Sequence, residues 1–353
     1  GTLDKDARGL SFAGADGKTL RYDHLKVWDA DGKELDAQMA YAPGQVEIRV
    51  NDAGAAYPVT VDPLIYMEQK VRAFDGAASD GFGNSVAISG TTAIVGSSSD
   101  DVGANSSQGS AYIFVKSGTA WGFAAKLTAS DGAAFDYFGY SVSLSGNTAL
   151  VGAMVDDVGA NASQGSAYIF VKPSGGWVTT STYTAKLTAS DGAADDNFGR
   201  SVALSGDTAL VGASRDDVGI YTNVGSAYIF VKPSSGWVTA TETAKLNAPA
   251  FDGAEFGYSV ALAGNTALVG APYANIGAAQ RGAAYIFVKP GGGWATTGNP
   301  TADLVPSDGA TGDHFGTSVA LSGNTALVGS PANDVGVNSE QGSAYIFVKP
   351  GGG

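Results

Sequence analysis

The sequence has no cysteine among its 353 residues, only two histidines, and no long run of apolar residues. The absence of cysteine excludes disulfide bonds, thiolate metal sites and cysteine nucleophiles. A membrane-spanning helix needs about 20 consecutive apolar residues, so the sequence predicts no transmembrane segment. The formal net charge is −14 and the 20 basic residues form no cluster, which argues against binding to nucleic acid.

Glycine, in contrast, is abundant, and the 51 glycines lie mostly between short runs rich in Val, Ile, Tyr and Phe. This distribution is typical of many short strands joined by tight turns and not of long helices. The hydrophobic content of 44% is sufficient for a large core and argues against a disordered chain. The sequence therefore predicts a globular protein of the all-β class.

A Phe-Gly pair recurs five times at intervals of about 60 residues, and each pair opens a similar unit. The second unit contains four short strand-like runs, at residues 140–144, 148–152, 166–172 and 184–188. The third of these runs is apolar on both faces, so neighbouring sheets must cover it on both sides. The pattern predicts a β-propeller of five four-stranded blades, with a solenoid as the main alternative.

The two ends of the chain suggest how such a ring closes. Residues 68–72 stand where each later unit has its fourth strand, and the fifth unit ends without that strand. We expect the N-terminal run to supply it, the alternative being a longer array of units. Residues 1–65 do not share the repeat, and their alternating runs predict a small N-terminal β-domain that precedes a five-repeat propeller at 66–353.

The repeated unit reads Phe-Gly-x-Ser-Val-Ala-Leu-Ser-Gly-Asn-Thr-Ala-Leu-Val-Gly-Ala-Pro, most completely at residues 256–272, and continues to Gly-Ser-Ala-Tyr-Ile-Phe-Val-Lys. This pattern resembles the FG-GAP repeat family over roughly residues 66–350. The resemblance implies the propeller of integrin α-subunit heads and of many bacterial exported proteins. It also implies a secreted or cell-surface location and a role in adhesion or ligand recognition.

Integrin-like repeats hold calcium between their first two strands, but here that connection is only Ser-Gly-Asn-Thr or a close variant. A different acidic loop, Asp-Asp-Val-Gly-Ala-Asn, recurs between the second and third strands. Carboxylate and amide oxygens are suitable ligands for calcium, the one cofactor that the sequence suggests. The alternative, which we favour, is that these side chains cap turns. The candidate metal ligands are Asp100, Asp101, Asn105, Asp156, Asp157, Asn161, Asp216, Asp217, Asn333, Asp334 and Asn338.

Residues that break the repeat are better candidates for a ligand site, because a site on one part of a ring should differ between units. The alternative for each is an ordinary solvated surface position. The recurring tryptophans at 121, 177, 237 and 294 are instead expected to pack between blades. The candidate ligand-binding residues are Arg200, Arg215, Tyr221, Arg281 and His314.

The leading functional hypothesis is an extracellular adhesion or recognition propeller that binds a protein or a glycan, with calcium as its one candidate cofactor. The alternative is a structural module that assembles with copies of itself into a matrix, layer or fibre. A glycan-processing enzyme is a second alternative, which the sequence disfavours because the acidic pairs recur in nearly every unit. A catalytic pair should occur once, in differentiated environments, so we expect no enzymatic activity.

Overall fold

The computed structural model describes residues 2–3, 10–13, 18–42, 45–249, 252–277 and 279–349. Every regular element within these ranges is a β-strand, which confirms the predicted all-β class. No helix in this part of the chain could cross a membrane. The chain divides into two compact units, Gly1–Arg72 and Ala73–Gly353.

The N-terminal unit contains one four-stranded sheet and one hairpin. The sheet has the order β1-β2-β3-β6, and the hairpin consists of β4 and β5. Its buried core is made of Leu10, Leu25, Val27, Leu35, Ala37 and Met39. The strands are β1 (Thr2–Leu3), β2 (Leu10–Ala13), β3 (Lys18–Trp28), β4 (Ala37–Ala42), β5 (Gln45–Val50) and β6 (Thr60–Gln69).

The second unit contains five antiparallel sheets, one for each repeat, which we call blades 1 to 5. Blade 1 consists of β7 (Phe82–Ser89), β8 (Thr92–Ser97), β9 (Ser110–Ser117) and β10 (Ala120–Leu127). Blade 2 consists of β11 (Phe138–Ser145), β12 (Thr148–Ala153), β13 (Ser166–Val171) and β14 (Ala185–Leu187). Blade 3 consists of β15 (Phe198–Ser205), β16 (Thr208–Ala213), β17 (Ser226–Val231) and β18 (Ala244–Leu246).

Blades 4 and 5 depart slightly from this plan. Blade 4 carries an extra hairpin, and the described part of blade 5 has three strands. Blade 4 consists of β19 (Ser259–Ala263), β20 (Thr266–Ala271), β23 (Ala283–Val288) and β24 (Ala302–Leu304), with the hairpin β21 (Asn275–Ile276) and β22 (Ala279–Gln280). Blade 5 consists of β25 (Ser318–Ser322), β26 (Thr325–Ser330) and β27 (Ser343–Val348).

The blades pack face to face through side chains that alternate along the third strand. Tyr168 and Phe170 of blade 2 lie in one cluster with Ile113 of blade 1. Ile169, on the opposite face, lies in a cluster with Phe198 of blade 3. This alternation confirms that both faces of the strand are buried, as the sequence predicted.

Close approach between blades depends on the glycine that ends the Ala-Leu-Val-Gly run of the second strand. A Cβ atom added at Gly152 would lie 2.0 Å from the carbonyl oxygen of Gly199 in the next blade. No real Cβ atom tolerates that separation, so only glycine fits here. The small residues of this strand therefore set the distance between neighbouring sheets.

The prediction that residues 68–72 complete blade 5 is wrong. Within β6, Glu68 pairs with Thr19 and Gln69 pairs with Lys18, so these two residues belong to the N-terminal sheet, and residues 70–72 lie in no strand. The outward faces of the first and last blades are also uncovered in the described residues. Ile346 of blade 5 is 69% exposed, whereas Ile169 at the same repeat position is fully buried.

Candidate functional site

Seven side chains from blades 2 to 5 form a continuous group of aromatic and charged residues. Cation–π contacts, ring contacts and charge interactions link them in sequence around the blades. We call this group the Arg200 cluster, and its members are Tyr140, Arg200, Arg215, Glu255, Tyr258, Tyr273 and His314.

The repeat itself brings the central three members together. Tyr140, Arg200 and Tyr258 each follow the Phe-Gly pair that opens their unit. The first strands of neighbouring blades pack against each other, β11 on β15 and β15 on β19. Equivalent positions in successive blades therefore lie side by side, and the arginine of blade 3 falls between two tyrosines.

The guanidinium group of Arg200 lies between two tyrosine rings. Its Cζ atom lies 3.9 Å from the ring centroid of Tyr258 and 6.0 Å from that of Tyr140. Its Nε atom is buried and has no hydrogen-bond partner. Stacking uses the flat faces of a guanidinium group and leaves its N–H edge for a planar anion. Arg200 is thus held against the tyrosine rings by contacts to its guanidinium group.

Charge around Arg200 is only partly balanced. Burial raises the pKa of Glu255, and the positive charges of Arg200 and Arg215 oppose that rise without cancelling it. Arg215 is exposed, so its charge remains available at the surface. The cluster therefore combines two cations with one half-buried carboxyl group, in a repeat region that is otherwise acidic.

Aromatic contacts extend the cluster towards blade 5. The ring of Tyr273 lies 4.9 Å from the ring of His314 and 6.4 Å from that of Tyr258, in edge-to-face geometry. Burial raises the pKa of Tyr273, and the charge of Glu255 adds to the effect. Tyrosine hydroxyls and the imidazole supply hydrogen-bonding groups beside the arginine. The arrangement can bind a ligand that has both an apolar face and a negative group.

The structure brings together three of the five predicted ligand-binding residues, Arg200, Arg215 and His314. Tyr221 lies elsewhere, in the exposed loop after β16, where it exchanges two backbone hydrogen bonds with Val218. Arg281 lies before β23, and its carbonyl group accepts the N–H of Phe315 at 3.0 Å. Neither of these two joins the cluster among the residues that the structure describes.

Sequence reasoning missed Tyr140, Glu255, Tyr258 and Tyr273. A signal was available, because the residue after Phe-Gly is Asn84 in blade 1 and changes to tyrosine or arginine in blades 2 to 4. The change of residue type at one repeat position marks the blades that carry the cluster.

The candidate metal ligands are distributed between two kinds of contact. In blades 1 to 3, a lysine of the outer strand lies between two aspartates, an arrangement that we call the ion triad. Lys126 Nζ is 2.6 Å from Asp75 and 2.8 Å from Asp100, and both carboxylates also bind Tyr112. The equivalent triads join Lys186 to Asp131 and Asp156 at 2.8 Å each, and Lys245 to Asp191 at 2.6 Å and Asp216 at 2.7 Å.

The remaining candidates make local turn contacts. Asp101 accepts the backbone N–H of Ser107, six residues later, at 2.8 Å. Equivalent bonds to the backbone N–H six residues later are accepted by Asp157, Asp217 and Asp334. Asn105, Asn161 and Asn338 donate their amide N–H to glutamines three residues later. Asn333 donates to Asp313 and accepts from Ser343. These contacts are those of turn capping.

This donor set does not fit calcium, which takes six to eight oxygen ligands. The buried carboxylates of the ion triads are already neutralised by lysine ammonium groups, and the asparagines present N–H donors to their neighbours. Within the described ranges, no group of three or more His, Asp or Glu side chains is arranged to hold a metal. Calcium binding stays a prediction, and the contacts favour the turn-capping alternative.

One family model, described as FG-GAP repeat, matches the chain at residues 67–114, 121–170, 182–230, 240–287 and 299–347. Together these segments cover more than half of the chain. From the second onwards, each begins at or near the outer strand of one blade and ends at the third strand of the next. No curated protein matches the sequence. The match confirms the resemblance drawn from the Phe-Gly units.

Proposed function

The chain belongs to the FG-GAP repeat family, and from this we propose that it is an extracellular or cell-surface recognition module that binds its partner at the Arg200 cluster. Propellers of this family often serve recognition or adhesion. The observation that carries the proposal is the stacking of Arg200 on Tyr258, at a distance of 3.9 Å, among residues that differ from blade to blade.

The chemistry of the cluster favours a ligand that carries a carboxylate. An arginine whose guanidinium group is already held against an aromatic ring loses little conformational freedom when it binds a planar anion. Arginine and tyrosine also dominate the energetics of protein interfaces, and tyrosine rings stack on sugar faces. Both an acidic sugar and an acidic protein side chain present a carboxylate. The experiment below distinguishes these two sources.

We further propose that binding occurs without catalysis. Hydrolysis of a glycosidic bond generally needs two carboxyl groups that flank the bond. The Arg200 cluster contains one, Glu255, and the paired aspartates of blades 1 to 3 are held by the lysines of the ion triads. The aspartates of the ion triads therefore have a structural role that repeats from blade to blade.

The proposal is tested by binding the labelled chain to an array that carries acidic glycans, neutral glycans and peptides rich in Asp and Glu. We expect selective binding to one acidic class, and loss of at least about tenfold in affinity for Arg200→Ala. Lys232→Ala is the matched control, because it removes the same charge from the surface pair with Asp207. Binding that survives Arg200→Ala unchanged, or no binding to either acidic class, would overturn the proposal.

A further inference from the structure

The loop that leads into blade 2 carries two bulky aromatic residues in a backbone conformation that such residues rarely adopt. Phe135 has a φ of 69° and Tyr137 has a φ of 54°, both in the left-handed region. This region is disfavoured for residues that have a Cβ atom, and a bulky residue there is a clear outlier. Phe135 is also 55% exposed, so its ring gains little from burial in the fold.

Hydrogen bonds to the preceding blade impose this conformation. The backbone N–H of Phe135 donates to the carbonyl oxygen of Ser106 in blade 1 at 2.9 Å. The backbone N–H of Tyr137 donates to that of Ser107 at 3.2 Å. The same two bonds recur in the loop that leads into blade 3, where the donors are Asp195 and Asn197. The positive φ values therefore belong to the repeat and do not depend on the aromatic residues.

The other units place different residue types at these two positions. Glycine tolerates a positive φ without strain, and aspartate and asparagine are enriched there. Three residues before Phe-Gly, the other units have Ser79, Asp195, Gly253 and Gly312. One residue before Phe-Gly, they have Gly81, Asn197, Glu255 and His314. Since the fold accepts glycine at both positions, folding requires no aromatic ring at either. A residue held in a disfavoured conformation supports a functional role for its side chain.

The loop continues directly into the Arg200 cluster. Tyr140, a member of that cluster, donates its backbone N–H to the carbonyl oxygen of Tyr137 at 3.0 Å. Five residues span at most about 18 Å, so Phe135 lies within that distance of Tyr140. We call Phe135, Tyr137 and Tyr140 the aromatic row. It runs from the Tyr140 ring, 6.0 Å from the guanidinium carbon of Arg200, to the exposed ring of Phe135.

An aromatic row beside an arginine suits a chain of sugars better than an acidic peptide. The face of an aromatic ring carries partial negative charge, so it attracts the C–H face of a sugar ring and repels a carboxylate. A peptide rich in Asp and Glu would bring carboxylates to Phe135 as well as to Arg200. In an acidic oligosaccharide, the carboxylate of one residue binds Arg200 while the ring of the next residue stacks on the row.

We propose that the aromatic row is a second subsite, which binds the sugar next to the one whose carboxylate is bound by Arg200. The ligand is then an oligosaccharide of at least two residues that contains a uronic acid. This inference rests on the proposed function of the Arg200 cluster and names the ligand class of that site.

The test compares short and long ligands in NMR titrations of the intact chain. The probes are methyl glucuronide with a hyaluronan tetrasaccharide, and methyl galacturonide with tetragalacturonate. Tetraglutamate is the peptide comparison. We expect at least one tetrasaccharide to bind at least about tenfold more tightly than its own monosaccharide, because the added sugar stacks on the row.

Three chain variants locate the second subsite. Phe135→Gly should remove the gain in affinity of the tetrasaccharide, and Phe135→Tyr, which keeps a ring, should retain it. Ser79→Gly is the matched control, because it makes the same backbone change at the equivalent position before blade 1. The melting temperature of Phe135→Gly should not fall, since glycine tolerates the positive φ. A lower melting temperature would show that the ring serves the fold and would overturn the inference.

Failure of this inference differs from failure of the proposed function. If Arg200→Ala weakens monosaccharide binding but no tetrasaccharide gains affinity, or Phe135→Gly keeps the gain, the second subsite is wrong and the Arg200 site stands. A gain with tetraglutamate alone would assign the row to a protein partner and overturn the sugar proposal. If no probe binds, or Arg200→Ala leaves the binding of every probe unchanged, both proposals are wrong.

Discussion

The ammonium group of Lys186 lies 2.8 Å from a carboxylate oxygen of Asp156, and little of either side chain is exposed to solvent. Burial alone would lower the pKa of Lys186, but hydrogen bonds to Asp131 and Asp156 outweigh it and hold the pKa above its ordinary value. Blade 4 has Ala274 and Asp303 at the corresponding positions, so the buried carboxylate and the lysine are absent together. The ion triad behaves as one structural unit.

Removing one member of a triad should therefore be costly. Asp216→Ala leaves Lys245 with only Asp191, and we expect the free energy of unfolding to fall by about 3 kcal/mol. Adding Lys245→Met should cost much less than the sum of the two single changes, with a coupling of about 1–3 kcal/mol. Urea denaturation of the four proteins in this double-mutant cycle measures the coupling. Strict additivity would show that the triad is not a unit.

Calcium should leave the stability of the chain unchanged. The carboxylates of the acidic loops are occupied by lysine or by backbone N–H groups, as in the contact between Asp157 and Ser163 at 2.8 Å. A ligand that binds only the native state raises the melting temperature. We therefore expect the same Tm in millimolar calcium and in excess EDTA. A Tm increase with calcium that Asp157→Asn abolishes would restore the calcium site.

The buried carboxyl group of Asp196 should make stability fall with rising pH. Burial raises the pKa of Asp196 to about 6 despite its backbone hydrogen bond from Ala193, and the charge of Asp216 adds to this rise. The ordinary pKa of an aspartate side chain is 3.8, so between pH 3.8 and about 6 the native state binds more protons than the unfolded state. The stabilisation from this group is present below about pH 4 and is lost as the pH rises through about 6.

Asp196→Asn tests this dependence, because the amide oxygen can still accept the N–H of Ala193. The variant should be more stable than the wild type at pH 8, by about 1–2 kcal/mol, and the difference should disappear near pH 4. Asp195→Asn, at the exposed neighbouring position, is the matched control. Urea denaturation at the two pH values gives the comparison, and an equal effect at both would contradict the assignment.

Close packing between blades should make Gly152 intolerant of any side chain. Gly152→Ala should lower the free energy of unfolding by about 1–3 kcal/mol or more, because the added methyl group meets the Gly199 carbonyl of the next blade. Gly175→Ala is the control, since nothing lies within 4 Å of its Cβ position and its φ is not positive. Thermal unfolding of both variants should separate them clearly, and equal melting temperatures would contradict this packing.

The blades could be predicted because their determinants are local. Residues 140–144 alternate between apolar and serine residues, Gly146 has the positive φ of a tight turn, and each Phe-Gly pair marks a new unit. Residues 68–72 were misleading because a short strand-like run does not specify its partner. Their pairing with β3 depends on a register that extends through Met67 and Leu20.

The Arg200 cluster could be predicted only in part. Arg200 and His314 stand out because they break the repeat in both charge and residue type. Tyr258 stands out only when the residues after Phe-Gly are compared between blades, and Glu255 does not stand out, since an acidic residue lies shortly before Phe-Gly in every unit. Their place beside Arg200 follows from the packing of first strand on first strand, which is a long-range property that no single unit contains.

The most direct test of recognition at the Arg200 cluster is NMR observation of the Arg200 Nε–H group, which has no hydrogen-bond partner in the unliganded chain. Glucuronate and N-acetylaspartate serve as carboxylate probes from the two ligand sources, with glucose as the neutral control. We predict a saturable shift of the Nε–H resonance with at least one carboxylate, no shift with glucose, and loss of the response in Tyr258→Ala. An unchanged resonance with both carboxylates would contradict the proposed recognition site.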